Sequence, residues 1–111
     1  MLATIQRVSK ASVFIDEKEF SAISKGVVIF LCAESGDSEI NVKKMFQSIF
    51  NFKILEEDSN TMSASLKELE EDVLIVSQFT LAAITNKGPK ASFHKAAKAS
   101  EAKLLLSLIH I

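Results

Sequence analysis

Apolar residues follow one another without interruption in two strand-length stretches of the chain. Val27–Cys32 reads VVIFLC and Val73–Val76 reads VLIV, and both are rich in β-branched residues. A continuous apolar run of this length is typical of a strand that is covered on both faces. The pattern therefore predicts two buried strands. We expect the fold to be organised around the second one, within Asp72–Ala83.

A longer period predicts two helices. After Asp37 or Ser38, either of which can cap a helix, apolar residues recur at intervals of three and four. These residues are Val42, Met45, Phe46, Ile49 and Phe50. The spacing predicts an amphipathic helix laid on a sheet. A second helix is predicted from Ser92 onward, with one apolar face formed by Ala97, Leu104, Leu105 and Leu108.

Weaker patterns predict the remaining elements. Leu2–Val8 and Ala11–Asp16 favour two neighbouring strands, with Glu17–Glu19 as a charged turn after them. Asn51–Leu55 and Met62–Leu66 are short strand candidates. Polar connections are predicted at Glu56–Asn60, Lys67–Asp72 and Ile84–Ala91.

Composition narrows the class of protein. The chain has 111 residues, which favours one domain over 1–111, and 48% of them are hydrophobic, which argues against disorder. No apolar run reaches the roughly 18 residues of a membrane span, and the first ten residues lack a signal-peptide core. The single cysteine, Cys32, excludes an internal disulfide. We expect a cytoplasmic protein.

Charge is distributed unevenly although the net charge is only −1. Residues 56–72 carry seven acids and one lysine, whereas residues 85–103 carry five lysines and one acid. The lysines are Lys87, Lys90, Lys95, Lys98 and Lys103. Such a segment either is a solvated helix face or contacts phosphates.

The side chains available for catalysis are few. His94, His110 and Cys32 do not make a plausible metal site or catalytic triad, and three glycines cannot form a phosphate loop. Ser77, Gln78 and Thr80 follow the second predicted strand, either as ordinary capping groups or as part of a site. An enzyme with this inventory would act by positioning and by main-chain hydrogen bonds, which suits a labile bond such as an activated ester.

Four segments carry a resemblance to a known family. They are IQRVSKASV at Ile5–Val13, Asn60–Met62, SQFTLAA at Ser77–Ala83, and SFHKA at Ser92–Ala96. Together they resemble the D-aminoacyl-tRNA deacylases, from residue 1 to about residue 105. The resemblance implies an α+β fold with a curved, barrel-like mixed or antiparallel sheet and two flanking helices.

The resemblance also implies an activity and its partners. The activity is hydrolysis of the ester bond of D-aminoacyl-tRNA, and of glycyl-tRNA mischarged on tRNA(Ala), as a chiral proofreading step. The partners are the aminoacylated 3′ end of tRNA and a second copy of the chain, with the active site at the homodimer interface. No metal, organic cofactor, DNA or membrane is implied.

Carried onto matching positions, the resemblance assigns the pocket. Ser77, Gln78, Phe79 and Thr80 are the catalytic residues, with backbone N–H groups near Phe79 and Thr80 holding the oxyanion. Thr80 is a candidate nucleophile, but no base is in evidence to activate it, so water or the ribose 2′-hydroxyl is preferred. The substrate-binding residues are Gln6, Arg7, Met62, Ala82 and Phe93, with Arg7 positioning a partner loop or the substrate and Met62 and Phe93 near the adenosine.

One departure from the family leaves alternatives open. The family carries a second signature near its C-terminus, Asn-x-Gly-Pro with a cis Gly-Pro bond, which selects chirality in the other subunit's pocket. We expect this sequence to lack it, because Asn86–Pro89 spells the motif but aligns just after the first signature. The alternatives are an inactive or unselective dimerising relic that binds tRNA without turnover, and an RNA-binding module that uses Lys87, Lys90, Lys95 and Lys98.

Overall fold

The computed structural model describes residues 1–78, 81, 93 and 95–107. Two helices and seven strands lie within these ranges. In chain order they are β1 (Leu2–Val8), β2 (Ala11–Ile15), β3 (Lys18–Ile23), β4 (Gly26–Cys32), α1 (Glu39–Asn51), β5 (Leu55–Glu57), β6 (Asn60–Ala64), β7 (Asp72–Ser77) and α2 (Ala99–Ser107). No helix in the described part of the chain is long and apolar enough to cross a membrane.

The strands form one sheet of three strands, in the order β1-β4-β7, and two hairpins, β2–β3 and β5–β6. The predicted α+β class with two helices is confirmed. The described strands do not close into one barrel. The prediction that β1 and β2 are neighbours is wrong, because β1 pairs with β4 and β2 pairs with β3.

The chain divides into two compact units. Unit 1 comprises Met1–Thr4, Phe30–Gln47 and Ser77–Ile111, and unit 2 comprises Ile5–Ile29 and Ser48–Val76. Each unit is described by itself below. Both hairpins lie in unit 2, and α2 lies in unit 1.

Strand β4, rather than β7, is the buried strand of the three-stranded sheet. Six of its seven residues are buried, as its uninterrupted apolar sequence predicts. In β7 only Leu74 is buried, at 8% exposure, and its other apolar residues are half-buried. Burial differs because β4 has a strand on each side, whereas β7 has only β4 among the described strands. The expectation that the fold is organised around β7 is therefore wrong.

Helix α1 begins as its sequence predicts. Ser38 is the N-cap, since its carbonyl accepts from the Val42 N–H at 3.3 Å and its own N–H donates to Asn41 Oδ1 at 2.8 Å. The Ser38 hydroxyl also donates to Asn41 Oδ1, at 3.1 Å, so the Asn41 side chain holds the cap residue as the third helical residue does in a capping box. Val42, Phe46 and Ile49 are buried along one face.

Helix α2 is shorter than predicted. It begins at Ala99 instead of Ser92, and the main chain of residues 95–97 is hydrogen-bonded to the segment that follows β4. Leu105 is buried, but Leu104, predicted for the same face, is 66% exposed. Leu108 lies outside the described residues, as does the predicted connection Ile84–Ala91.

Strand β3 was not predicted, because its first residues are charged. Asp16 and Glu17 have positive φ angles of 51° and 64° and form the two-residue turn before it. Turns of this kind usually contain Asn-Gly or Asp-Gly, so Asp-Glu gives little signal. The hairpin β5–β6 turns in the same way at Asp58 and Ser59. Its first strand is Leu55–Glu57, whereas the sequence predicted a strand at Asn51–Leu55.

Candidate functional site

Strands β4 and β7 run parallel, and this fixes where β7 ends. The Asp72 N–H donates to the Lys25 carbonyl at 3.3 Å, and the Gln78 N–H donates to the Leu31 carbonyl at 2.8 Å. In both hydrogen bonds the donor residue follows the acceptor residue by the same number of positions along the chain. A constant offset of this kind is the register of a parallel ladder. Gln78 is the last residue for which the described structure shows this ladder.

The next carbonyl on the same edge belongs to Ala33, because alternate residues of a strand point to the same side. It accepts a hydrogen bond from the Ala97 N–H at 2.8 Å. In the register of the ladder, this is the carbonyl of the β4 edge that lies opposite position 80. Along this edge, the described hydrogen bonds thus go first to Gln78 and then to Ala97.

Further bonds hold that segment in place. The Ser35 N–H donates to the Lys95 carbonyl at 2.9 Å, and the Ser35 hydroxyl donates to the Ala96 carbonyl at 3.2 Å. Glu34 and Ala96 form an antiparallel bridge. Gln78 and Ala97 therefore lie at adjacent positions along one edge.

The predicted catalytic residues fall at this place or outside the described residues. Ser77 is exposed, and Gln78 is half-buried and accepts from the Leu81 N–H at 3.4 Å through its carbonyl. Phe93 is 37% exposed, and its carbonyl accepts from the Ala96 N–H at 3.0 Å. The other three residues predicted in this part of the sequence, Phe79, Thr80 and Ala82, lie outside the described residues.

An ion cluster lies beside the same segment. The Met1 ammonium is 2.8 Å from Glu34 Oε1 and 2.9 Å from Asp37 Oδ2. Burial by itself lowers the pKa of this ammonium, but hydrogen bonds to Glu34 and Asp37 and the charges of both carboxylates together raise the pKa above its ordinary value. The Asp37 carboxylate also accepts from the Glu34 N–H at 2.7 Å, so the cluster fixes the turn after β4.

The remaining predicted residues belong to unit 2. Gln6 and Arg7 are exposed on β1. Met62 is 52% exposed and has a φ of 54°, at an irregular point of the β5–β6 hairpin. Left-handed backbone is strained for methionine, so the hairpin fixes the main chain at this position.

Arg7 lines a cavity of about 350 Å³. The other lining residues are Val8, Ser9, Lys25, Gly26, Leu55, Glu56 and Glu71, all in unit 2. Gln6 and Met62 do not line it. Among the described residues, no group of three or more His, Cys, Asp or Glu side chains could hold a metal ion.

The features of the site that sequence reasoning missed are mostly main-chain bonds. Ala33 and Ala97 carry no side-chain chemistry, so nothing in their identity indicates that they share a hydrogen bond. The approach of Met1 to Glu34 and Asp37 had no sequence signal either, since it depends on residues more than thirty positions apart.

Comparison with known proteins gives a consistent set of similarities. The model of the family described as D-Tyr-tRNA(Tyr) deacylase matches residues 4–110. A D-aminoacyl-tRNA deacylase from Francisella tularensis subsp. novicida is 40% identical over 93 residues, which are 84% of this chain and 64% of that protein. A D-aminoacyl-tRNA deacylase from Vibrio cholerae is 39% identical over 105 residues, 95% of this chain and 73% of that protein.

Two solved structures are similar in fold. The c-Myc DNA Unwinding Element Binding Protein has a TM-score of 0.87 and 32% identity, with 95% of this chain and 70% of that chain covered. A probable eukaryotic D-amino acid tRNA deacylase has a TM-score of 0.80, with 96% and 62% covered. Its identity of 19% shows the fold alone.

Proposed function

Because this chain belongs to the D-Tyr-tRNA(Tyr) deacylase family, we propose that it hydrolyses the ester bond of D-aminoacyl-tRNA and releases the free D-amino acid and tRNA. The family match over residues 4–110 is the observation that carries the proposal. We extend the proposal to glycyl-tRNA mischarged on tRNA(Ala). We further propose that the protein acts in the cytoplasm as a homodimer, with the site at the subunit interface.

The chemistry that we propose uses the main chain at the end of β7. Water attacks the ester carbonyl and gives up a proton, and the negative charge moves to the carbonyl oxygen. If the 2′-hydroxyl of the terminal ribose attacks first, the acyl group only moves to that oxygen, and water then cleaves the new ester in the same way. The N–H groups of Phe79 and Thr80 stabilise that oxyanion until the ester C–O bond breaks and the 3′-oxygen leaves and takes up a proton. Fixed N–H donors are the strongest single means of stabilising such a charge.

The ladder between β4 and β7 supports this role. Gln78 is paired with Leu31, and the next carbonyl on that edge, of Ala33, is used by Ala97. The carbonyl of Ala33 thus already accepts one hydrogen bond from a segment other than β7. Ser77 and Gln78 stand at the last described position of the ladder, on a sheet that positions them rigidly.

The substrate-binding roles follow the family resemblance. We propose that Gln6 and Arg7 position the substrate or a loop of the partner subunit. Met62 and Phe93 pack near the terminal adenosine, for which their exposed apolar surfaces are suited. Ala82 lines the pocket beside the catalytic segment.

Single-turnover hydrolysis of D-tyrosyl-tRNA and L-tyrosyl-tRNA tests the proposal. The two substrates differ only in configuration, so each is the control for the other, and glycyl-tRNA(Ala) tests the extension. We expect release of D-tyrosine and no release of L-tyrosine. Cleavage of both would contradict chiral proofreading, and binding of tRNA with cleavage of neither would show the alternative, a tRNA-binding protein without turnover.

A further inference from the structure

Two lysines lie next to the proposed site in unit 1. The Lys95 carbonyl is bonded to the Ser35 N–H at 2.9 Å, and Ala97, which precedes Lys98, is bonded to Ala33 at 2.8 Å. The main chain on both sides of Ala96 is thus fixed to the β4 edge, beside Gln78. The side chains of Lys95 and Lys98 are both exposed.

Neither lysine forms an ion pair in the described part of the chain, although Glu101 follows Lys98 by three residues. Within the described ranges, neither ammonium has a carboxylate within 4.0 Å. Glu34 is the nearest acid along the paired segments, since it is opposite Ala96 in the bridge. Its carboxylate is held by the Met1 ammonium at 2.8 Å, and so is that of Asp37 at 2.9 Å.

The ion cluster keeps the carboxylates of Glu34 and Asp37 on the Met1 ammonium and away from the two lysines. Met1 offsets one of the two negative charges of the cluster, and Lys95 and Lys98 carry two positive charges that no carboxylate of the cluster pairs with. A phosphate backbone is the partner that a pair of exposed lysines suits, because each phosphate contact releases condensed counterions. Residues 56–72, with seven acids and one lysine, offer the opposite charge and would repel such a backbone.

We propose that Lys95 and Lys98 form a phosphate-binding surface that holds the tRNA acceptor stem while its aminoacylated end enters the site at Ser77 and Gln78. This inference rests on the proposed function for the identity of the RNA. The lysines are positioning residues, since they contact phosphates and not the reacting ester. They set how tightly and in what register the tRNA binds.

The test is the double variant K95Q/K98Q, measured on two substrates and at several salt concentrations. On D-tyrosyl-tRNA we expect kcat/KM of the wild type to fall about tenfold more than that of the variant between 50 and 200 mM salt, with kcat unchanged, because each phosphate contact contributes roughly threefold over this range. The slope of log kcat/KM against log salt should become less steep by about 2, one for each lysine. On 3′-(D-tyrosyl)adenosine, which has no phosphate, the variant should match the wild type.

Matched controls separate charge from fold. K10Q/K44Q removes two exposed lysines elsewhere and should retain the wild-type slope, and K95R/K98R should restore kcat/KM. A wild-type slope in K95Q/K98Q, or an equal effect in K10Q/K44Q, would overturn the proposal. So would equal losses on both substrates.

Binding of uncharged tRNA keeps the inference separate from catalysis. If the wild type hydrolyses neither substrate, the proposed function fails, and the salt dependence of tRNA binding still decides the role of the lysines. A weaker slope for K95Q/K98Q than for the wild type supports the surface, and equal slopes refute it. A DNA duplex that competes as well as tRNA would show that the surface does not select RNA.

Discussion

The two ends of the β4–β7 pair are built in opposite ways. At the first end, in unit 2, the Asp72 N–H binds the Lys25 carbonyl, and the Asp72 carboxylate accepts from the Ser24 N–H at 3.0 Å. The main chains approach so closely that only glycine fits at position 26. At the second end, in unit 1, Gln78 is the last described residue of the ladder and Ala97 is bonded to the next carbonyl of β4 on that edge, that of Ala33.

This difference shows how one ladder combines a structural end with a candidate functional end. At the first end, the main-chain groups of Lys25 and Asp72 are used for the sheet. At the second end, the Ala33 carbonyl of β4 is bonded to Ala97, so this part of the β4 edge serves a segment other than β7. A polar sequence at that point can then become a site without a catalytic acid or base.

The largest expected effect is that of Gly26→Ala at the first end. A methyl group there would overlap the main-chain oxygen of Asp72, so the strands would have to separate. We expect a loss of about 3 kcal/mol or more in the free energy of unfolding, measured by urea denaturation. Gly36→Ala is the control, since its added methyl meets nothing and only its φ of 90° costs energy, about 1–2 kcal/mol. Equal losses would contradict the close approach.

Ala97→Pro tests the second end. Proline removes the N–H that binds Ala33, which should cost about 1–3 kcal/mol and lower kcat on D-tyrosyl-tRNA, because β7 could then extend along the vacated edge. Ala99→Pro is the matched control, since Ala99 is the first residue of α2, where proline is tolerated. Wild-type stability and kcat in Ala97→Pro would show that the bond to Ala33 does not hold the site.

A smaller effect is expected from the Met1 cluster. The pKa of the ammonium is raised in the folded protein, so its contribution to stability is complete below its unfolded value of 8.0 and is lost as the pH rises through the folded value. Urea denaturation between pH 7 and pH 10 should show a decrease of about 0.5–1 kcal/mol from this pair of contacts. The variant E34Q/D37N should lose that component of the pH dependence, and an unchanged profile would contradict the ion pairs.

The elements with strong periodic patterns could be predicted from sequence. β1 has the predicted bounds, β4 begins at Gly26, one residue before the predicted run, and ends at Cys32 as predicted, and α1 follows Ser38, one of its two predicted caps. β3 was missed because its first residues are charged and the turn before it contains no glycine. It therefore shows neither the apolar pattern of a strand nor the sequence of a tight turn. The importance of β7 was overestimated, since burial depends on neighbours that a single strand's sequence does not report.

The candidate site was predictable in part. The polar residues after β7 indicate where a strand ends, and Ser77 and Gln78 lie there. The partner segment was predicted as helix, although Lys95–Ala97 is bonded to Ala33 and Ser35. Main-chain bonds between distant alanines leave no pattern in the sequence, so only the fold could identify them.

The most direct test of the main-chain mechanism compares Thr80→Ala with Phe79→Pro in single-turnover hydrolysis of D-tyrosyl-tRNA. The first variant removes a hydroxyl and keeps every N–H, whereas the second removes an N–H at the end of β7. We expect Thr80→Ala to remain within about tenfold of the wild-type rate and Phe79→Pro to lose at least about a hundredfold, the usual effect of deleting one oxyanion donor. A Thr80→Ala variant that is folded, as judged by its urea denaturation, but has no activity would contradict the account.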